Sequence, residues 1–388
     1  MKKKHGLIFI VMLLCTTLFW FLYNNNRRGG KVVSVSRTIT KEKEAAVLHG
    51  DETVSATRGD NPERFVYDGE SFGSREAMEE AKKQDQIDLY GASAELTFHV
   101  TDSEGRDVSG ATLTACFRIF EKTVEKTAKT DKNGIFVAEG KTDGEIVYFV
   151  KKEGYYNTQA TFSFNRHTDT ADVKNGKWIP WNPTIEVTLK EIRNPIPMYV
   201  KRAGIRLPKK GEPFGMDFKI GDLVAPHGKG KNADIFLKCW GDKPIPLTRA
   251  VSRHLTLSSD KIGEGFIRIS KDGGLFTSIY EAPTDGYQPE VYLNYARTND
   301  KILDDKDFPQ NEYIVFRSRV ELDDDGKIAK SNYGKIFDIW FDISADDRDG
   351  AAIRFIYYFN PTPNDRNLEF DTSYNLFGND WRNRIEIP

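Results

Sequence analysis

The sequence contains little cysteine. Its 388 residues include three, Cys15, Cys116 and Cys239, and none of them forms a Cys-x-x-Cys pair or stands at zinc-ligand spacing from a histidine. This pattern argues against a structural zinc site. Cys116 and Cys239 are far apart, so they either form a disulfide in an oxidising compartment or remain separate buried thiols. We expect separate thiols.

The sequence also lacks the motifs that build common catalytic centres. It contains no Gly-x-Ser-x-Gly turn and no phosphate-binding loop that ends in Gly-Lys-Ser or Gly-Lys-Thr. No two histidines stand at i and i+2 on one expected strand, or at i and i+4 on one expected helix, which are the spacings of metal ligands. We therefore expect no catalytic residue, no metal ion and no cofactor.

Positive and negative charges are also nearly balanced, since the formal net charge is −2. No run of lysine or arginine stands out beyond the N-terminus, so the basic surface that holds nucleic acid is not expected. Hydrophobic residues make up 39% of the chain and aromatic residues 12%, which is enough apolar surface to build folded cores.

The sequence has a single long apolar run, which follows three lysines at positions 2–4 and extends from Leu7 to Tyr23. It is about 17 residues long, at the short limit for a membrane span. The polar residues after it lack the small-x-small pattern of a cleavage site, so we favour an uncleaved signal-anchor over a cleaved signal peptide. Such a leader places the bulk of the chain outside the cytoplasm.

Composition divides the rest of the chain. After a signal-anchor at residues 1–28, residues 29–93 are polar and poor in large apolar side chains, which is typical of a stalk. One helix is expected there, from Arg75 to Ile87, with Ser74 as its N-cap. Two β-rich regions follow, at residues 94–192 and 193–388.

Residues 94–192 show the period-two pattern of half-buried strands. Leu96, Phe98 and Val100 alternate with polar residues, and the nearly all-apolar run from Ile146 to Val150 is expected to form a central strand buried on both faces. Short turns rich in Asp, Asn and Gly separate these runs. Strands at this spacing are typical of an antiparallel sandwich.

Four short motifs in this region follow the order found in a known family. They are Val100-Thr101-Asp102 with Gly105, then Val108-Ser109-Gly110-Ala111, then Thr130-Asp131 with Gly134, and finally Lys152 with Gly154-Tyr155. In these motifs the region resembles carboxypeptidase regulatory-like domains. The resemblance implies a prealbumin-like (transthyretin-like) β-sandwich that acts as a spacer, stabiliser or adhesion unit and carries no catalytic residue.

The second half is also strand-rich but resembles no named family. Three runs with alternating apolar residues, near 314–320, 336–343 and 353–359, predict an antiparallel meander. We place Phe337, Ile339, Phe341 and Ile343 on one face of its middle strand. The acidic residues at 323–325 and 346–349 come before glycines, as in tight turns. A calcium site and a glycosidase carboxylate pair are the alternatives.

Aromatic residues are the most informative feature for function. Trp178 and Trp181 bracket a proline, and Trp340 alternates with Asp338 and Asp342 along one strand. Exposed rings beside carboxylates can stack sugars and accept hydrogen bonds from their hydroxyls. The alternative, which we favour, is that the rings fill cores or a domain interface. Four tyrosines also crowd one segment: Tyr280, Tyr287, Tyr292 and Tyr295.

Together the patterns predict an all-β fold: a prealbumin-like antiparallel β-sandwich, then a second antiparallel β-rich domain, with an N-terminal membrane segment. We expect a non-enzymatic cell-envelope protein with a structural or binding role. Its expected partners are the membrane, through the N-terminal helix, and an envelope protein or polysaccharide. The alternatives are a glycan-binding or glycan-cleaving protein that uses Trp178, Trp181, Trp340, Asp338 and Asp342, and a calcium-stiffened adhesin.

Overall fold

Strands dominate the computed structural model, which describes residues 65–120, 122–167, 172–241, 251–272, 274–297, 302–303, 311–343, 350–378 and Ile385. The expected signal-anchor, most of the expected stalk and the acidic residues at 346–349 lie outside these ranges. Among the described residues, no helix has the length and apolar character needed to cross a bilayer. The described residues belong to one compact unit, Phe65–Pro388.

The described part of the first half contains two helices, α1 (Arg75–Tyr90) and α2 (Phe164–His167). Its strands are β1 (Phe65–Tyr67), β2 (Glu70–Phe72), β3 (Ala92–Asp102), β4 (Thr112–Ile119), β5 (Lys122–Lys129), β6 (Ile135–Thr142), β7 (Glu145–Lys151), β8 (Thr158–Ser163), β9 (Asp172–Lys174), β10 (Lys177–Ile179) and β11 (Thr184–Leu189).

The described residues of the second half form strands and no helix. They are β12 (Ile196–Leu207), β13 (Phe214–Asp217), β14 (Asp222–Leu223), β15 (Ile235–Gly241), β16 (Val251–Ser258), β17 (Gly265–Ser270), β18 (Glu290–Arg297), β19 (Ile302–Leu303), β20 (Glu312–Leu322), β21 (Ile328–Ile343), β22 (Ala351–Asn360) and β23 (Phe370–Asn375).

The helix expected in the stalk is confirmed. The side chain of Ser74 accepts a hydrogen bond from the backbone N–H of Ala77 at 3.1 Å, as an N-cap does. The helix continues past Ile87 to Tyr90 and ends where Gly91, at φ +65°, donates to the carbonyl of Ile87. The hairpin of β1 and β2 lies in the same segment and was not expected.

The first half forms a sandwich of two sheets. Strand β3 pairs with β6 on one side and with β11 and β10 on the other, while the second sheet has the order β5-β4-β7-β8. Alternate residues of β3 and β4 are buried between the sheets, so the period-two prediction is confirmed. The prediction for β7 is wrong in part: Val147 and Phe149 are only half-buried, because they lie on the face of the sheet away from the core.

The prediction of wholly antiparallel sheets is also wrong. Strand β11 runs parallel to β3 from Thr184, opposite Thr97, to Leu189, opposite Asp102. Strand β10 is parallel to β3, and β12 is parallel to β23. Parallel neighbours need a long crossover between them. The many residues between β3 and β11 supply one, and the period-two pattern does not reveal strand direction.

The second half forms two six-stranded sheets. The central sheet has the order β17-β20-β21-β22-β12-β23, and the outer sheet has the order β14-β13-β15-β16-β18-β19. The expected meander is confirmed as β20-β21-β22. One core lies between the two sheets and includes Phe218, Leu255, Phe316, Ile353 and Tyr357.

A third core lies on the opposite face of the central sheet. Its sheet residues include Val200, Val315, Phe337, Ile356 and Tyr358, and the segments that contain Ala282, Leu368 and Phe370 cover them. The central sheet is therefore buried on both faces along part of its length. That explains why its strands carry consecutive buried residues instead of strict alternation.

A β-bulge changes which way the side chains of β21 point. Asp338 has φ +52°, and the register moves from Phe337 opposite Ile356 to Trp340 opposite Arg354. Phe337 therefore faces the third core, whereas Ile339 and Phe341 pack against the core between the sheets. Our placement of Phe337 on the same face as Ile339 is wrong, because the extra residue of the bulge reverses the alternation.

Three turns share one local structure, set by Asp-x-x-Gly. The Oδ1 atoms of Asp102, Asp131 and Asp323 each accept hydrogen bonds from the backbone N–H groups two and four residues later. The glycine three residues after each aspartate has φ between +71° and +77°. This geometry confirms the turn interpretation of these acidic residues.

Two of these glycines form a matched pair for mutation. A Cβ at Gly326 would meet no heavy atom within 4 Å, whereas one at Gly134 would overlap the carbonyl oxygen of Val100. We expect Gly326→Ala to lower the free energy of unfolding by about 1 kcal/mol through backbone strain alone. Gly134→Ala should cost roughly 3 kcal/mol, since overpacking is added to the strain. Urea unfolding of both variants measures the difference, and equal losses would contradict the steric argument.

Candidate functional site

Trp178 lies inside the first sandwich. It is 2% exposed, its ring stacks on Phe164 with the ring centroids 4.9 Å apart, and its Nε1–H donates to the carbonyl of Thr142 at 3.1 Å. A ring enclosed by the core offers no face to a sugar. The proposal of Trp178 as a binding residue is therefore wrong, and the alternative that this ring fills a core applies.

Trp181 is half-buried and lies just after β10. The Nζ atom of Lys177 lies 4.3 Å from its ring centroid, at cation–π distance. The ring therefore already has one cationic partner on this surface.

The two proposed carboxylates both have cationic neighbours. Asp338 Oδ1 accepts a hydrogen bond from Lys271 Nζ at 3.4 Å. Asp342 Oδ1 lies 3.0 Å from Arg253 Nε, an ion pair without hydrogen-bond geometry. Each carboxylate thus has a cationic neighbour that offsets its charge, although the Asp338 side chain is still 56% exposed.

Trp340 is exposed, as its proposed role requires. The residue is 42% exposed, and the guanidinium carbon of Arg354 lies 4.8 Å from its ring centroid. The two residues are directly opposite each other on β21 and β22. This contact orients the ring on a rigid sheet, where its position depends on the backbone ladder and not on a loop.

Trp340 belongs to a patch that we call the uncovered face: Arg202, Gly204, Arg206, Trp340 and Arg354. The pairing register places Gly204, Arg354 and Trp340 in one row across β12, β22 and β21. Arg202 and Arg206 flank Gly204 along β12, and all three arginines are exposed. This patch continues the face that the third core occupies at the other end of the same strands.

The positive charge of the uncovered face comes from its three arginines. None of them forms an ion pair with a carboxylate in the part of the chain that the structure describes. The position of a Cβ on Gly204 would have no heavy atom within 4 Å, so the surface is open there. Glycine inside a strand weakens it and often marks a place where another molecule approaches the backbone.

A second aromatic group, of which Tyr292 is exposed and Trp240 and His254 are half-buried, lies on the outer sheet. Trp240, His254 and Tyr292 come from β15, β16 and β18, and their ring centroids are 5.4–5.8 Å apart. The hydroxyl of Tyr292 contacts His254 Nδ1, and Ser252 Oγ lies 2.8 Å from His254 Nε2. Sequence reasoning missed this group, because only the register of the three strands brings the rings together.

A buried lysine lies near the junction of the two halves. Lys335 has no exposed surface, donates to Ser278 Oγ at 2.8 Å, and lies 4.6 Å from the ring centroid of Tyr358. Burial lowers the pKa of Lys335 well below its usual range, and the neighbouring Lys190 lowers it further. Sequence reasoning did not find this residue, which sits among apolar and aromatic neighbours on β21.

Glu369 joins the two halves nearby. It is buried and accepts hydrogen bonds from the Tyr156 hydroxyl at 2.7 Å and from the backbone N–H groups of Arg193 and Asn194. Lys190 forms a 2.6 Å ion pair with Asp272 and donates to the carbonyl of Ser278. These contacts hold residues of the first sandwich against segments of the second half.

The two described cysteines are free thiols, and no disulfide links them. Burial raises the pKa of Cys116 to about 11 and that of Cys239 to about 12. Because the thiolate is the reactive form, burial makes both groups poor nucleophiles.

His99 bridges two carboxylates on the surface of the first sandwich. Its Nε2 lies 2.9 Å from Asp107 Oδ1, and its Nδ1 lies 2.9 Å from Glu186 Oε2. The hydrogen bond to Asp107 is the largest cause of the raised pKa of His99, and Glu186 adds to it. Among the described residues, no group of three or more His, Cys, Asp or Glu side chains is placed to hold a metal ion.

No family model matches the chain, and no curated protein matches it. Among solved structures, the chain is similar to 3-chlorocatechol 1,2-dioxygenase from Rhodococcus opacus at 13% identity and a TM-score of 0.23. That match covers 27% of this chain and 62% of the dioxygenase. Hydroxyquinol 1,2-dioxygenase from Pseudomonas putida is similar at 11% identity and a TM-score of 0.21, over 26% of this chain and 57% of that one.

A DUF3823 family protein from Parabacteroides merdae matches over a longer range, 70% of this chain and 100% of its own. Its identity is 12% and its TM-score is 0.18. The chain thus spans less than two thirds of the length of the two dioxygenases. At these TM-scores the similarities carry no argument about activity, and the dioxygenase reaction is not transferred to this chain.

The His99 bridge predicts a pH-dependent stability. The pKa of His99 is higher in the folded protein than in the unfolded chain, where it is near 6.5. The bridge therefore stabilises the fold fully below pH 6.5, and this stabilisation is lost as the pH rises through the pKa of the folded protein. We expect His99→Gln to lower the free energy of unfolding by under about 1 kcal/mol at pH 5.5, because the bridge is partly exposed. At pH 9 it should change little. Chemical denaturation at the two pH values tests this.

Asp107→Asn is the matched control for that experiment. It removes one of the two carboxylates and should shrink the pH-dependent difference without abolishing it. A loss in His99→Gln that is the same at both pH values would show that packing, and not charge, explains the effect.

Proposed function

We propose that the chain is a non-enzymatic protein of the cell envelope. In this proposal residues 1–28 tether it to the membrane, and the β-rich unit outside the cytoplasm binds a ligand there. The observation that carries the proposal is the uncovered face, where an exposed tryptophan and three exposed arginines lie on the rigid central sheet.

The surroundings of the reactive side chains support a binding role over a catalytic one. The Cys239 thiol and the Lys335 amine are enclosed in cores, where no substrate reaches them. A glycosidase needs one carboxyl group as an acid and a second as a nucleophile or base. Asp338 and Asp342 are both in ion pairs with cations, which favours binding over glycan cleavage.

The resemblance of residues 94–192 to carboxypeptidase regulatory-like domains supports the same assignment. In this proposal the first sandwich is a prealbumin-like spacer that stands between the polar stalk and the binding unit. Glu369 and the Lys190–Asp272 pair would then fix the spacer to the second half, so that the uncovered face has a defined orientation.

Fractionation tests the location and the binding separately. We expect to find the full-length protein in the membrane fraction. Protease added outside the cytoplasmic membrane should digest its β-rich unit. Deletion of residues 7–23 should move it to the soluble cytoplasmic fraction, since that run is the only long apolar segment of the sequence. Full-length protein in the cytosol would overturn the proposal.

Retention on washed envelope material then tests the binding role. The full-length protein in detergent should be retained, and the double variant Trp340→Ala with Arg354→Gln should be retained less. Trp181→Ala is the matched control, because it removes a half-buried tryptophan away from the uncovered face. Equal retention of the wild type and the double variant would remove the uncovered face from the proposal.

A further inference from the structure

We propose that the uncovered face binds an anionic polysaccharide, a chain of pyranose rings that carries carboxylate or sulfate groups. This inference rests on the proposed function and names the ligand class of the same site. The charge of the proposed ligand differs from the one that the sequence suggested. The exposed tryptophan is where it was expected, but the neighbours that have no ion pair among the described residues are arginines, whereas both carboxylates have one.

The first step is that the third core ends before the uncovered face. On β12, Met198 and Val200 face the third core, and Arg202 and Arg206 continue the same side of the strand into solvent. On β22, Ile356 and Tyr358 are covered and Arg354 is exposed. The same side of the sheet is thus apolar and covered at one end, and basic and exposed at the other. The exposed end is therefore not an apolar surface that lacks a cover.

The second step is charge complementarity. Three arginines lie within two strands, and each carboxylate proposed from the sequence lies beside a cation, Lys271 or Arg253. A guanidinium group binds carboxylate or sulfate oxygens through two parallel hydrogen bonds. An anionic ligand therefore gains partners at Arg202, Arg206 and Arg354 without displacing an existing ion pair among the described residues.

The third step is the shape of the patch. At about 3.3 Å per residue, the Cα atoms of Arg202 and Arg206 are roughly 13 Å apart along β12. That distance is longer than a single sugar ring, so the ligand needs several linked sugars to reach both arginines. Gly204 leaves the surface between them open, and Trp340 offers an apolar ring in the same row for the C–H face of a pyranose.

Paired polymers make a direct test. Binding of the full-length protein in detergent is measured by calorimetry with polygalacturonate and its fully methyl-esterified form, and with dextran sulfate and dextran. Each pair has the same sugar backbone and differs in charge. We expect binding to at least one charged polymer, no binding to either neutral polymer, and an affinity that falls as salt rises. The polygalacturonate and dextran sulfate arms distinguish carboxylate from sulfate recognition.

Point variants then locate the site. Arg354→Gln and Trp340→Ala should each weaken binding roughly tenfold, which corresponds to about 1.4 kcal/mol. Gly204→Val should weaken it as well, because the new side chain fills part of the open surface, and its Cβ would have no heavy atom within 4 Å. Lys126→Gln on the exposed strand β5 is the control for charge, and Trp181→Ala is the control for a tryptophan elsewhere. Neither control should change the affinity.

Several results would overturn the inference. Equal affinity for charged and neutral polymers would remove the role of the arginines. Single-stranded DNA bound as tightly as the charged polysaccharides would show a general polyanion surface without sugar recognition. Unchanged affinity in Arg354→Gln, Trp340→Ala and Gly204→Val would place the binding elsewhere. If the protein is retained on envelope material but binds none of the four polymers, this inference fails while the proposed function stands.

Discussion

The central sheet of the second half carries two cores, one on each face, and the rest of the structure depends on that constraint. Strands β12, β20, β21 and β22 supply residues to both cores. Each fully buried Phe, Leu or Ile side chain contributes about 1.5–3 kcal/mol, so these strands stabilise the fold from both sides. The sheet must therefore keep its register, since a slip by one residue would exchange the residues of the two cores.

Polar groups buried at the edge of the first of these cores restrict the register further. Arg319, at φ +53°, pairs with Asp234 at 2.7 Å and with Asp217 at 3.0 Å, and both aspartates are buried. Asp217 also accepts hydrogen bonds from the backbone N–H groups of Lys219 and Ile220 after β13, and from those of Lys231 and Asn232 before β15. Removing one member of such a pair leaves an uncompensated charge and costs about 3–5 kcal/mol. The cluster thus fixes the bulged end of β20 and the two segments that donate to Asp217.

The same constraint produces the candidate site. Because the third core covers only one end of the central sheet, the other end of the same face is left to solvent. Before Asp338, neighbouring residues of β21 alternate between the two cores. The bulge at Asp338 then places Trp340 on the solvent-exposed end of the sheet face, next to Arg354. A sheet held in this way presents its side chains at fixed spacing, which suits a ligand with repeating chemical groups.

The sequence by itself determined the local features of this protein. Period-two runs predicted strands, Ser74 predicted the start of the helix, and Asp-x-x-Gly predicted three turns. Each of these features depends only on residues that are neighbours in the chain. The tertiary structure alone decided strand direction, the bulge, the burial of Trp178 and Lys335, and the placing of Arg202 and Arg206 near Trp340. Those features depend on contacts between residues far apart in the chain, and no local pattern states which strands become neighbours or which face another segment covers.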